Sequence, residues 1–153
     1  MSDALYHALI VEHDRSPRNE GPLEGATHTA TLDNPLCGDI VTVRVIVRTA
    51  IDKSPATITD ARFEARGCAL CRAAASMMTA RVIEKSVGDA RSLVERFEAF
   101  TRASDTPRDA TSNDGRGDLD AIGDLEVFRG VQKARSRRTC ATLPFRALAK
   151  ALG

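Results

Sequence analysis

The sequence predicts an α+β fold, a three-stranded antiparallel sheet with helices packed mainly on one face. Three observations predict it. Residues 40 to 48 and 57 to 66 alternate apolar and polar side chains with period two. The first three extended segments are joined by short turns, which connect antiparallel neighbours. Past Gly67 the pattern changes to a helical one. With 153 residues the chain is expected to be a single domain over 1–153. A domain of that size buries roughly two-thirds of its unfolded surface, so its core needs no staples.

Residues 3 to 13 are expected to form a short helix with Leu5, Leu9 and Ala8 on its inner face. The turn formers Ser16-Pro17-Arg18-Asn19-Glu20-Gly21-Pro22 end it. Residues 27 to 33 are a candidate strand. In residues 40 to 48, Val41, Val43, Val45 and Val47 alternate with Thr42, Arg44 and Arg48, broken at Ile46. Asp52-Lys53-Ser54-Pro55 reads as a turn. In residues 57 to 66, Ala61, Phe63 and Ala65 take one face and Asp60, Arg62, Glu64 and Arg66 the other. A helix is expected over 70 to 86, with Met77 and Met78 in the core, a stop at Gly88 and an N-cap at Asp89 for a second helix. That second helix carries the stripe Leu93, Phe97, Phe100. A polar inserted loop is expected at about 101–120, because Thr101 to Asp120 has too little apolar surface to bury. The last helix is expected to begin near Thr142, with Pro144 in its first turn and Phe145, Leu148 and Leu152 facing inward.

Composition narrows function. The 22 basic and 21 acidic residues give a net charge of +1, too balanced for counterion-driven nucleic-acid binding. Aromatics make up 4% with no Trp, which argues against base-stacking platforms. No apolar run approaches the roughly 20 residues of a membrane span. The N-terminus, Met1-Ser2-Asp3-Ala4, lacks the basic and apolar regions of a secretion signal. A cytoplasmic protein without nucleic-acid or membrane partners is expected. In that compartment thiols stay reduced and serve as ligands or nucleophiles.

The chemistry-bearing residues are Cys37, Cys68, Cys71 and Cys140. Cys37 falls in the expected turn between the first two strands, Cys68 just past the third strand and Cys140 just before the expected last helix. In extended chain the side chains of Cys37 and Asp39 point the same way, and Gly38 lets the backbone bend between them. Three sulfurs and a carboxylate suit tetrahedral zinc, and thiolates suit iron–sulfur chemistry equally. A cysteine just before a helix is made acidic by the helix N-terminus, and Arg135, Arg137 and Arg138 would act on Cys140 in the same direction. Cys68-x-x-Cys71 is open to three readings: half of a zinc knuckle, a redox pair, or core packing. His7, His13 and His28 lack metal-ligand spacing and are expected to be structural or exposed.

Four stretches carry a resemblance to a known family. They are Ser16-Pro17-Arg18-Asn19, Asn34-Pro35-Leu36-Cys37-Gly38-Asp39, Gly67-Cys68 followed by Ala74-Ala75-Ser76-Met77-Met78-Thr79, and Cys140-Ala141-Thr142-Leu143 with Ala147-Leu148. On these the chain resembles the IscU/NifU-type iron–sulfur cluster assembly proteins, specifically the SufU branch. Thr139 stands where IscU-type members place a histidine. The polar insertion and Arg137, three residues before Cys140, also match the SufU pattern. Cys71 departs from it, since SufU-like members carry a small polar residue there, and so does Thr139, where a lysine is common. The resemblance implies zinc held by Cys37, Asp39, Cys68 and Cys140, with Arg137 as a supporting residue; Cys71, a fourth thiol beside the site, is open to competing as a ligand, forming a disulfide with Cys68, or doing nothing. It implies sulfur transfer from a pyridoxal-phosphate-dependent, SufS-like cysteine desulfurase, feeding downstream cluster assembly proteins; Cys37 is the expected acceptor, because it falls in a turn and can leave the metal without unravelling a helix. The alternative is a scaffold on which the same residues hold iron or a [2Fe–2S] cluster for delivery to apo-proteins.

Overall fold

In the computed structural model, which describes residues 7–36, 38–49, 55–102 and 122–153, the three strands are β1 (His28–Asn34), β2 (Asp39–Arg48) and β3 (Thr57–Arg66). They form one antiparallel sheet in sequence order. The register places Leu32 opposite Val41, and Val43 opposite both Ala30 and Phe63. Val41, Val43, Val45, Ile58, Ala61 and Phe63 are fully buried, as the alternation requires. Thr31, Thr42, Arg44 and Glu64 line the wet face, where the threonine hydroxyls bond at 2.8 Å and Arg44 pairs with Glu64. The break in alternation at Ile46 is a β-bulge between Ile46 and Val47, so Val47 is only partly buried.

The helices cover the other face. They are α1 (Ala8–Arg15), α2 (Ala69–Val82), α3 (Val87–Arg102) and α4 (Arg135–Leu152). Helix α4 packs on β1 and β2, α2 packs on β3, and α1 lies on α2. The small residues Ala73, Ala74, Ala75 and Ser76 are fully buried where α2 meets its neighbours, and Met77 and Met78 fill the core as expected. Phe97 of α3 stacks on Phe145 of α4 at 4.1 Å between centroids and meets Phe128 edge-on at 5.7 Å. Those contacts join three elements through one ring.

Several expected boundaries move. Residues 1–6, with Leu5, lie outside the described residues. The inner face of α1 is Ile10 and His13 with Leu9 partly buried, while Ala8 is exposed. Helix α2 ends at Val82 rather than near residue 86, because Glu84 turns left-handed at φ 72°. Gly88 therefore lies inside the first turn of α3. The cap is Ser86, whose hydroxyl accepts from Asp89 N at 3.0 Å; Asp89 itself adds an acidic group to that turn. Thr101 is not loop but buried in the last turn of α3, and 103–121 lie outside the described residues. So do 50–54, which hold most of the expected turn before Pro55.

Between α3 and α4 lies an element the sequence reading does not assign, a 3₁₀ helix over Gly123–Lys133. Ile122, Leu125, Phe128 and Val131 are all fully buried. At about 100° per residue an α-helix would rotate Ile122 and Val131 to opposite sides, whereas about 120° per residue keeps a period-three stripe in line. Helix α4 starts at Arg135, about two turns before the expected Thr142, which places Pro144 inside the helix.

Candidate functional site

Three elements converge on one point. Asp39 opens β2 and is 1% exposed. Cys68 is the N-cap of α2, immediately after β3 and Gly67. Cys140 lies in the second turn of α4 and is 2% exposed. One carboxylate oxygen and the two sulfurs lie within 4.8 Å of one another.

The turn that delivers Asp39 is built by Asn34. Asn34 and Asp39 are the last paired residues of the β1–β2 hairpin, so Pro35, Leu36, Cys37 and Gly38 form its connection. The Asn34 side-chain oxygen accepts from Leu36 N at 3.2 Å, and its carbonyl accepts from Gly38 N at 2.7 Å. Gly38 sits at φ 76°, the left-handed bend expected beside Asp39. Leu36 is 95% exposed, which puts that side chain at the surface. Cys37 itself lies outside the described residues.

Gly67 fixes the other side. The Cys68 N–H donates to Asp39 Oδ1 at 3.1 Å, and the Cys68 sulfur lies 3.9 Å from Asp39 Oδ2. A Cβ on Gly67 would stand 2.1 Å from Asp39 Oδ1, so only glycine leaves room for the carboxylate. The Gly-Cys pair is visible in the sequence; the contact that demands the glycine is not.

Electrostatics separate the two sulfurs. The Cys68 thiol is lowered to about 6, chiefly by its hydrogen bond with Cys140 and also by the backbone N–H groups of the first turn of α2, against burial. Cys140 is pushed well up, by the same bond first, then by burial and Asp39. Their shared hydrogen bond thus favours the thiolate at Cys68 and the thiol at Cys140. This corrects the expectation that Cys140 precedes a helix and is acidified by it. Cys140 lies inside α4, away from the positive end, facing a thiolate and a carboxylate. Arg137 is half-buried one turn before it, and Arg138 instead donates to Gln132 O at 2.9 Å.

Cys71 is fully buried within the core cluster, one turn along α2 from Cys68. The histidines stay out of the site. His7 caps α1 by accepting from Leu9 N, and His28 meets Thr27. His13 is buried against the Ser76 hydroxyl at 2.7 Å. That hydroxyl also accepts from Arg18 N at 2.8 Å, and Thr79 bonds both Arg18 O and the Asn19 side chain. The stretch Ser16–Asn19 is thus a clamp holding the chain before β1 onto α2.

A small α+β module draws a carboxylate and two cysteines together at one end of its sheet, a set of donor atoms that could hold a metal ion. Residues 5–142 match the NifU-like N-terminal domain, and the chain belongs to that family, with IscU and SufU iron–sulfur cluster assembly proteins among its relatives. It is 33% identical over 148 residues to the zinc-dependent sulfurtransferase SufU of Bacillus subtilis, covering 97% of this chain and 89% of that one. It is 32% identical to the iron–sulfur cluster assembly scaffold protein IscU of Streptococcus pyogenes, covering 97% and 82%. The N-terminal part of a nitrogen-fixing NifU-like protein from Brucella abortus shares the fold with a TM-score of 0.77 at 23% identity, over 99% of this chain and 94% of that one. The expected three-stranded fold and family are both borne out. No helix among the described residues is long and apolar enough to cross a membrane.

Proposed function

We propose that the chain is a zinc-bound sulfur acceptor of iron–sulfur cluster assembly, taking persulfide sulfur from a SufS-like, pyridoxal-phosphate-dependent cysteine desulfurase. The observation that carries this is the meeting of Asp39, Cys68 and Cys140 within 4.8 Å. One carboxylate and two thiols, with Cys37 two residues before Asp39 in sequence, are a donor set that suits zinc. Cys37, Asp39, Cys68 and Cys140 would hold the ion, which when bound keeps its thiol ligands deprotonated. Without it, the bond with Cys68, then burial and Asp39, push the Cys140 thiol up. Reduced thiols of this kind fit the cytoplasm.

Cys37 is the acceptor in this reading. It follows the exposed Leu36 in sequence, whereas Cys68 starts α2 and Cys140 is buried in α4. The Cys37 thiolate attacks the outer sulfur of the donor persulfide. The bond between the donor's two sulfurs breaks, a new sulfur–sulfur bond forms on Cys37, and the donor cysteine leaves as thiolate. Arg137 adds positive charge near this end of the molecule, where a thiolate-bearing partner would dock.

The test is Cys37→Ala. It is expected to abolish both stimulation of the desulfurase and the persulfide adduct on the chain, and full stimulation by the variant overturns the assignment. The second reading, a [2Fe–2S] scaffold, draws on the 32% identity to a named scaffold protein. Anaerobic reconstitution separates the two. Visible charge-transfer absorption supports the scaffold, and a colourless protein retaining zinc supports the sulfur acceptor.

A further inference from the structure

Cys71 is the thiol that neither the proposed ligand set nor the acceptor step uses. Cys68 caps α2 in extended conformation, φ −76° and ψ 167°, and Cys71 is the third residue of the helix. The Cys71 N–H donates to Cys68 O at 3.1 Å, closing a turn with the two cysteines at its ends. With Ala69 and Leu70 helical between them, helix rise and radius put the two Cα atoms about 5 Å apart. A disulfide needs about 4.4–6.8 Å between Cα atoms. Backbone geometry therefore permits a bridge within this one turn, and neither strand nor neighbouring helix has to move.

The two thiols differ as a reactive and a resolving cysteine differ. Cys68 is partly exposed and open to an oxidant, while Cys71 is fully buried in the core. Cys140 is the competing partner, but it sits on α4. A bridge to it joins two separate helices, whereas a bridge to Cys71 closes within one turn of a single helix.

We propose that Cys68 and Cys71 form a peroxide-sensitive dithiol that closes to a disulfide across the first turn of α2. The oxidant is hydrogen peroxide. The Cys68 thiolate attacks one peroxide oxygen, the oxygen–oxygen bond breaks and hydroxide leaves, giving a sulfenic acid. The Cys71 sulfur then attacks the Cys68 sulfur, the sulfur–oxygen bond breaks and water leaves. The two thiols supply two electrons, and peroxide ends as two waters. That the bridge also switches off sulfur handling, by removing Cys68 as a ligand, rests on the function proposed above.

Trypsin cuts after Arg66 and Arg72, so both cysteines fall in the peptide Gly67–Arg72, while Cys140 falls in Thr139–Arg146. The chain as purified and a chelator-treated sample are each exposed to hydrogen peroxide, alkylated while unfolded, digested and weighed. The expected product is Gly67–Arg72 two hydrogens lighter and unalkylated, restored by dithiothreitol and formed faster after metal removal. In Cys71→Ala, dithiothreitol recovery of Cys68 is expected to be lost as oxidation runs on to sulfinic acid. Cys71→Ser repeats the test should alanine disturb packing. Linkage of Gly67–Arg72 to the peptide carrying Cys140 or Cys37 overturns the proposal. So does sulfinic acid at Cys68 with Cys71 fully alkylated in the unsubstituted chain. Sulfur acceptance is measured separately on the reduced chain, and its absence bears only on the sulfur-acceptor reading.

Discussion

Replacing Gly67 by alanine tests the geometry on which the site depends. The added Cβ would sit 2.1 Å from Asp39 Oδ1, 2.6 Å from its Cγ and 3.1 Å from its Cβ. The obstacle is the near end of a short buried side chain, so Asp39 must swing out of its place. Swinging breaks its bond with the Cys68 N–H, and a hydrogen bond to a charged group contributes about 1.5–3 kcal/mol. Gly67 also sits at φ 156°, and a conformation that favours glycine costs another residue about 1–3 kcal/mol. The total of roughly 2.5–6 kcal/mol is a large part of the 5–15 kcal/mol that stabilises a typical domain. Gly38→Ala is the control, with positive φ but nothing within 4 Å of its added Cβ. Urea unfolding of both variants gives the stabilities, and competition with a zinc-binding dye gives the metal affinity. Gly67→Ala is expected to lose far more stability than Gly38→Ala, and metal affinity with it. A Gly67→Ala chain matching the control in both measurements would refute the claim that this glycine makes room for the carboxylate.

His13 gives a pH dependence. Burial, then the positive charge of Arg18, lower its affinity for a proton below the ordinary value of 6.5, with Glu12 and Asp124 opposing. The folded chain therefore keeps His13 neutral where the unfolded chain already binds a proton. Its contribution is complete above 6.5 and is lost as pH falls from there towards the folded value. Unfolding free energies at about pH 7.5 and 5.5 should show this loss, with a smaller loss in His13→Gln. Phe97→Ala removes the ring shared by α3, α4 and the 3₁₀ segment and is expected to cost about 3–5 kcal/mol in denaturant unfolding. A loss under about 1 kcal/mol would mean that the three elements are not held through this ring.

The sheet was legible in the chain because a strand with one wet face writes its burial into every second residue. Val41, Val43, Val45, Ala61 and Phe63 could be assigned to the core without any partner in view. The motifs around Asp39, Gly67 and Cys140 pointed to the family for a similar reason, since backbone bends and ligand types are local properties. Even the 3₁₀ segment left a local trace, the period-three stripe from Ile122 to Val131, although a search for helix and strand periods passes over it. Helix ends were less legible. Ser86 and Asp89 are both good caps by type, and only the chain path past Glu84 chose Ser86. Pro144 suggested the start of a helix, but tertiary packing carries α4 about two turns further towards the N-terminus.

What only the folded molecule decided is how distant groups meet. Nothing near Cys140 in sequence says that its neighbours are Cys68 and Asp39, yet they reverse its expected acidity. Nothing beside Gly67 says that a carboxylate 28 positions earlier occupies the space of its missing side chain. Propensity, periodicity and turn chemistry act between residues a few positions apart, so the amino-acid order carries them directly. Proton affinity and steric exclusion depend on distance in space, and that distance exists only once β2, α2 and α4 have packed.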